Sequence, residues 1–280
     1  MINFLHTYHP KSIIFSLGPI SIHWYGFLMV LGIIGGFFII WQLAKFYGIR
    51  KEQLFDIAFY GLIFGLIGAR IYYVAYLWDY YSKNLLDILK IWQGGLAIHG
   101  IIIGGFAAIW FYARKNKLNF WLLADLVAIG LSFGQIIGRW GNYFNQELFG
   151  RPTNLPWGIP IDPFNRPADF VRNEYFHPTF LYESLWNLVV FLIILGWQLV
   201  RARKQPAPLR GARPGKTENR KQYGNIFLGY LIFYSLGRFF IEFLRVDPMP
   251  ALWGMRWAQI MSLGIILASG IILVYRRKKK

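Results

Sequence analysis

The sequence predicts an all-α integral membrane protein with about seven transmembrane helices. Three observations predict it. Of the 280 residues, 56% are hydrophobic and only 15% charged, against about 25% charged in an ordinary soluble domain. Apolar stretches of about 20 residues, the length a bilayer core demands, recur along the chain. The segments joining them alternate in positive charge.

The predicted spans run over 22–44, 54–77, 95–113, 121–139, 178–200, 224–244 and 255–275. Lys45, Arg50 and Lys51 follow the first, and Arg114, Lys115 and Lys117 follow the third. Eight Lys and Arg between Arg201 and Lys221 follow the fifth, and the chain ends Arg276, Arg277, Lys278, Lys279, Lys280. Loops rich in Lys and Arg stay in the cytoplasm, so the N-terminus is expected outside and the C-terminus in the cytoplasm. The net charge of +17 is thereby a topology signal, and no nucleic-acid partner is expected. The opening residues MINFLHTYHP lack a basic region followed by an apolar one, so no cleavable signal peptide is read there.

Two connecting stretches differ in character. Residues 201–223 are rich in Arg, Pro and Gly and read as a flexible basic cytoplasmic loop. Residues 140–178 carry Asn142, Asn145, Glu147, Asp162, Asp169 and Glu174. They are too polar to cross a bilayer and too long for a turn, and read as a small outer-face head or lid. The whole is expected to be one polytopic membrane domain over 1–280. Glycines at four-residue spacing are expected to let helices pack closely: Gly61 and Gly65, Gly100 and Gly104, and Gly130, Gly134 and Gly138.

Ionisable residues inside spans are expensive and point to function. At a rise of about 1.5 Å per residue, Arg70, His99, Arg139, Arg238 and Glu242 fall at similar depth, toward the outer side. Tyr25, His177, Tyr182 and Glu183 open their spans from that side. Several arginines at headgroup depth suit a lipid phosphate, because guanidinium stays charged and binds phosphate oxygens in pairs. Arg238 and Glu242, four residues apart, share a helix face and can pair. Arg70 taken alone is equally well a snorkelling side chain. No His, Asp or Glu spacing resembles a metal site, no cofactor is expected, and zero Cys excludes a thiol nucleophile in the chain.

The segment Gly138-Arg139-Trp140-Gly141-Asn142-Tyr143-Phe144-Asn145-Gln146-Glu147-Leu148-Phe149-Gly150 stands where the fourth span is expected to end. Gly141 and Gly150 would allow backbone turns there, and Asn142, Asn145 and Glu147 could hold Arg139 or a headgroup. The segment resembles the signature of the prolipoprotein diacylglyceryl transferase family, bacterial enzymes that lipidate the lipobox cysteine of prolipoproteins. Trp24-Tyr25-Gly26, His99-Gly100, His177-Pro178-Thr179 with Leu181-Tyr182-Glu183, and Tyr234 with Gly237-Arg238-Phe239 and Glu242-Phe243-Leu244-Arg245 are similar to that family's other motifs. Ile101, Gln146 and Phe180 stand where the family commonly has Gly, Gly and Gln.

The resemblance implies transfer of the diacylglyceryl group of phosphatidylglycerol to a cysteine thiol, with a thioether formed and glycerol phosphate released. It implies a multi-pass protein of the bacterial inner membrane with its active site toward the outer leaflet. The partners would be phosphatidylglycerol and a prolipoprotein signal peptide, a monomer being the default. Catalytic roles would fall on His99, Arg139, Arg238 and Glu242, and lipid binding on Arg139, Asn142, Asn145, Glu147, Tyr25 and Tyr234. His99 is either the acceptor of the thiol proton or a hydrogen-bonding structural residue. The residues leave one other reading, a transporter or channel for an anionic lipid or solute. Against it stands the lack of a paired inverted repeat.

Overall fold

The computed structural model describes residues 2–18, 20–204 and 223–278. The basic loop expected over 201–223 falls, for 205–222, outside the described residues. Helices dominate. In chain order they are α1 (Ile2–Thr7), α2 (Trp24–Ala44), α3 (Lys51–Tyr76), α4 (Trp78–Tyr81), α5 (Ile98–Lys115), α6 (Phe120–Phe144), α7 (Thr179–Arg203), α8 (Asn225–Ile241) and α9 (Trp257–Lys278). Short antiparallel pairs join them: β1 (Ile13–Leu17) with β2 (Ile20–His23), β3 (Ile159–Pro160) with β4 (Tyr175–Phe176), and β5 (Ala251–Leu252) with β6 (Met255–Arg256).

Among the described residues, five helices, from α2, α3, α6, α7 and α9, are long and apolar enough to cross a membrane. Helix α8 is apolar but 17 residues long. Helix α5 has 18 residues and carries Arg114 and Lys115 in its last turn. Much of the apolar surface faces outward, as at Ile34, Ile71, Leu192 and Ile271, where lipid would otherwise cover it.

The described residues fall into two compact units, one within 2–40, 125–204 and 224–278, the other of 41–124 with Tyr223. In the second, α3 and α5 pack through glycine. A methyl group on Gly68 or Gly100 would meet the backbone of the opposite helix, and one on Gly104 would meet the carbonyl of Phe64. Here the glycine spacing read from the sequence does its expected work at Gly100 and Gly104. Gly61 has open space beside it and plays no such part. In the first unit, Gly36 lies against the backbone of Gly130 and Gly32 against that of Gly134.

Residues 145–178 fold over a hydrophobic cluster of Leu5, Tyr143, Phe149, Ile161, Phe176 and Phe180. The N-terminal helix contributes Leu5 to it, and His6 Nδ1 lies 2.8 Å from the carbonyl of Gly158. Gly150 pairs with Arg245 across an isolated bridge, and Arg151 N–H donates to the Leu244 carbonyl at 2.7 Å. The signature segment is thus tied to the chain that leaves α8.

The fourth helix does not stop at 139 but continues to Phe144. Gly141 is therefore helical rather than a turn, and it is small because the Tyr25 ring lies against it. Gly150 is crowded by His177 and Thr179. The left-handed backbone positions fall instead on Gln146 (φ 51°) and Leu148 (φ 57°). Gln146 holds this conformation with its buried side chain. Its amide donates to the Pro10 carbonyl at 2.9 Å and to Asp162 at 2.7 Å, and accepts from the Asp162 N–H at 2.6 Å.

Candidate functional site

Three helices of the first unit bring their charged side chains together. Arg139 comes from α6, Glu183 from α7 and Arg238 from α8. The carboxylate of Glu183 lies between the two arginines: Arg139 Nε is 2.5 Å from one oxygen and Arg238 Nη1 is 2.9 Å from the other. Arg238 Nη2 turns to Glu242 at 2.6 Å, as the four-residue spacing predicts.

Behind these sits a further set of charges. Arg245 reaches Glu183 at 3.2 Å and Asp247 at 2.7 Å. Arg256 Nε lies 2.7 Å from Glu242, and its other nitrogens donate to the carbonyls of Arg245 and Asp247. Four guanidinium groups thus meet three carboxylates, leaving one positive charge in excess. Charges taken from water are tolerated when paired this way. Arg245 and Glu242 are almost fully buried, whereas the side chains of Arg139 and Arg238 keep 20% and 16% exposure. The accessible edge of the network is cationic.

The signature segment buttresses this edge. Because α6 extends to Phe144, Asn142 lies three residues beyond Arg139 on the same face, and Arg139 Nη1 is 3.5 Å from its Oδ1. Asn142 Nδ2 donates to Glu147 at 2.7 Å, and the Glu147 N–H donates to the Asn142 carbonyl at 3.0 Å. Tyr234, one turn before Arg238 on α8, lines the same small cavity as Arg139. Tyr25, in the first turn of α2, lies within electrostatic reach of Arg139. The Asn145 side chain has no partner among the described residues, so the structure does not bring it into this cluster. A small cavity opens here, lined by Arg139, Glu183, Trp186, Asn187, Tyr234 and Arg238.

Two of the expected residues belong to the second unit. His99 belongs to the second unit, exposed in the first turn of α5, its ring stacked on Tyr72 at 5.5 Å. Arg70, on α3 of the same unit, spends its guanidinium on backbone carbonyls. It donates to Ile88 at 2.8 Å, Asp87 at 2.5 Å, Gly94 at 2.9 Å and Gly95 at 3.0 Å. Arg70 is a clamp on the loop after α4 rather than a free cation.

The reading of the sequence gave no role to Glu183, Arg245, Asp247 or Arg256. Glu183 was visible as an acid opening the fifth span, and both Glu183 and Arg245 stand in the motif-like stretches quoted from the sequence. Near it, at the start of α7, the Tyr182 hydroxyl meets two residues that precede the helix: Trp157 Nε1 donates to it at 2.9 Å, and it lies 3.1 Å from His177 Nδ1. Burial holds the His177 imidazole below its ordinary titration range.

Spanning-length apolar helices carrying a buried arginine–carboxylate network define a multi-pass helical membrane protein with a cationic site. The family model described as prolipoprotein diacylglyceryl transferase matches residues 12–275. A Nostoc sp. protein named phosphatidylglycerol–prolipoprotein diacylglyceryl transferase is 44% identical, covering 99% of this chain and 93% of its own. Proteins of the same name from Synechocystis sp. and Staphylococcus aureus are each 40% identical, over 96% and 95% of this chain and 91% and 88% of theirs. The chain belongs to the prolipoprotein diacylglyceryl transferase family.

Proposed function

We propose that this chain transfers the diacylglyceryl group of phosphatidylglycerol to the lipobox cysteine of prolipoproteins, the first step of lipoprotein maturation. The observation that carries the chemistry is the pair Arg139 and Arg238, held side by side on Glu183 with one positive charge in excess. In the reaction the cysteine sulfur bonds to the terminal glyceryl carbon. The bond from that carbon to the phosphate oxygen breaks, and its electron pair leaves on glycerol phosphate. Charge develops on the phosphate, so preorganised cations lower the barrier. Arg139 and Arg238 receive it. Glu183 sets their spacing, and Asn142 with Glu147 fixes Arg139 from the other side. Glu242, fully buried, acts through Arg238.

Tyr234 and Tyr25 border the headgroup, and Asn145 is proposed to meet it only once lipid is bound. The thiol must lose its proton to become a nucleophile. His99 is proposed as the acceptor on residue type alone, imidazole being the side chain that ordinarily titrates near neutrality.

The same reading takes the chain as one polytopic domain crossing the bacterial inner membrane seven times, α5 and α8 adding to the five longer helices. Its N-terminus lies outside, its C-terminus in the cytoplasm, the 140–178 head faces outward, and it works as a monomer. To test the activity, purified protein is given phosphatidylglycerol and a lipobox peptide, and the peptide is weighed by mass spectrometry. A diacylglyceryl increment on cysteine is expected, and its absence with folded protein overturns the proposal.

A further inference from the structure

Asn187 lies four residues beyond Glu183 on α7, about 6 Å further along the helix, and is 2% exposed. Its backbone carbonyl accepts from Ser132 at 3.2 Å. Its side-chain oxygen Oδ1 is buried and has no hydrogen-bond partner among the described residues. Buried acceptors are rarely left so, and this one borders the cavity that holds both arginines. The arginine and indole donors lining that cavity are engaged elsewhere, and the Tyr234 hydroxyl on the same wall makes no hydrogen bond to Oδ1. Trp186 Nε1 donates to the Phe233 carbonyl at 2.9 Å, Arg238 serves Glu183 and Glu242, and Arg139 serves Glu183 and Asn142. The free space is about 10 Å³, room for one hydroxyl group.

We propose that Asn187 is a specificity residue: its Oδ1 accepts a hydrogen bond from a hydroxyl of the headgroup glycerol. The inference rests on the function proposed above and adds the subsite that reads the headgroup. The donor follows by elimination within the lipid. The phosphate and the two acyl esters of phosphatidylglycerol only accept hydrogen bonds, so the glycerol hydroxyls are its donors. With phosphate on Arg139 and Arg238, one helical turn along α7 is the reach of a three-carbon headgroup. A site that hydrogen-bonds a hydroxyl rejects an analogue lacking it, because its own polar group is then left unpaired. Phosphatidylglycerol is thereby favoured over lipids with an apolar headgroup.

The test uses the full chain in lipid nanodiscs and compares phosphatidylglycerol with phosphatidylpropanol, which lacks both hydroxyls. Wild type is expected to favour phosphatidylglycerol in kcat/KM by about 10-fold, the size of one net hydrogen bond. Asn187→Leu is expected to bring that ratio near unity. Equal use of the two lipids by wild type overturns the proposal whether or not the variant folds, and is the result if only water fills the cavity. A ratio unchanged in Asn187→Leu overturns it as well. If neither lipid supports transfer, the reading of the function has failed instead. The subsite is then decided by competition between glycerol phosphate and propyl phosphate for wild-type protein. Tighter glycerol phosphate supports it and equal affinity overturns it.

Discussion

Arg139 and Glu183 form the shortest contact between α6 and α7 in the site, Nε to Oε2 at 2.5 Å. The other oxygen of the same carboxylate serves Arg238 and Arg245. One side chain therefore sets the spacing of three cations from two chain regions, with 6% of its surface exposed. Without it, like charges would face one another in a setting that screens them poorly.

Glu183→Gln follows directly from this geometry. The amide keeps the shape but removes the charge that binds the three guanidinium groups. Breaking a buried ion pair from one side costs about 3–5 kcal/mol, and both stability and transfer are expected to fall. Thermal unfolding should drop relative to wild type, with transfer reduced by at least about 100-fold. Near-wild-type turnover in this variant would show that Glu183 is not what holds the arginines.

Arg139→Lys and Arg238→Lys separate charge from shape. Lysine keeps the positive charge but loses the planar fork. Each arginine here binds partners through separate nitrogens, Arg238 holding Glu183 by Nη1 and Glu242 by Nη2. Each substitution is expected to lower kcat by about 100-fold, and the alanine variants to abolish transfer. Full turnover in the lysine variants would mean that charge alone suffices.

What the sequence makes legible is what local spacing encodes. The Arg238–Glu242 pair, the spanning stretches and the glycine contacts of α5 all follow from residues within a few turns of each other. Glu183 is different. Its partners stand 44, 55 and 62 residues away, and spacing carries no information about which helices become neighbours. Arg245, Asp247 and Arg256 join the network only because β5, β6 and the end of α8 fold back on it. Arg70 shows the converse: hydropathy puts it on a long apolar helix, as found, yet its partners are backbone carbonyls, which every sequence contains. The extension of α6 past Gly141 was missed because glycine reads as a helix breaker when the ring packed on it is unknown.

Stability should vary with pH through His177. The chain Trp157 N–H to Tyr182 hydroxyl to His177 Nδ1 suits a neutral imidazole accepting at Nδ1. Burial lowers its titration range in the folded state, so the unfolded chain binds the proton more readily. Stability is then fully present above the ordinary histidine value of about 6.5. It falls as pH drops below that value, until the folded imidazole also takes up its proton. In unfolding measured from pH 8 down to 5, His177→Gln is expected to flatten this slope. An unchanged slope would place the titration on another group.

Arg70→Lys should loosen one loop and leave the helices intact. In wild type a single guanidinium, 7% exposed, closes on four carbonyls between Asp87 and Gly95. An ammonium has three donors on one atom and cannot reach acceptors spread along the fork. The carbonyls of residues 87–95 would lose their charged donors, while the glycine contacts of α3 with α5 stay unaltered. Amide hydrogen exchange is expected to speed up by about 10-fold or more across 85–96, with exchange in 51–76 and 100–113 unchanged. The remainder of the loop also leans on Arg70 through its ring contact, the guanidinium lying 5.2 Å from the centre of Tyr81. If exchange in 85–96 stays at the wild-type rate, the clamp is not what orders the loop, and the contact with Tyr81 or the tight turn at Gly94 and Gly95 must do so instead.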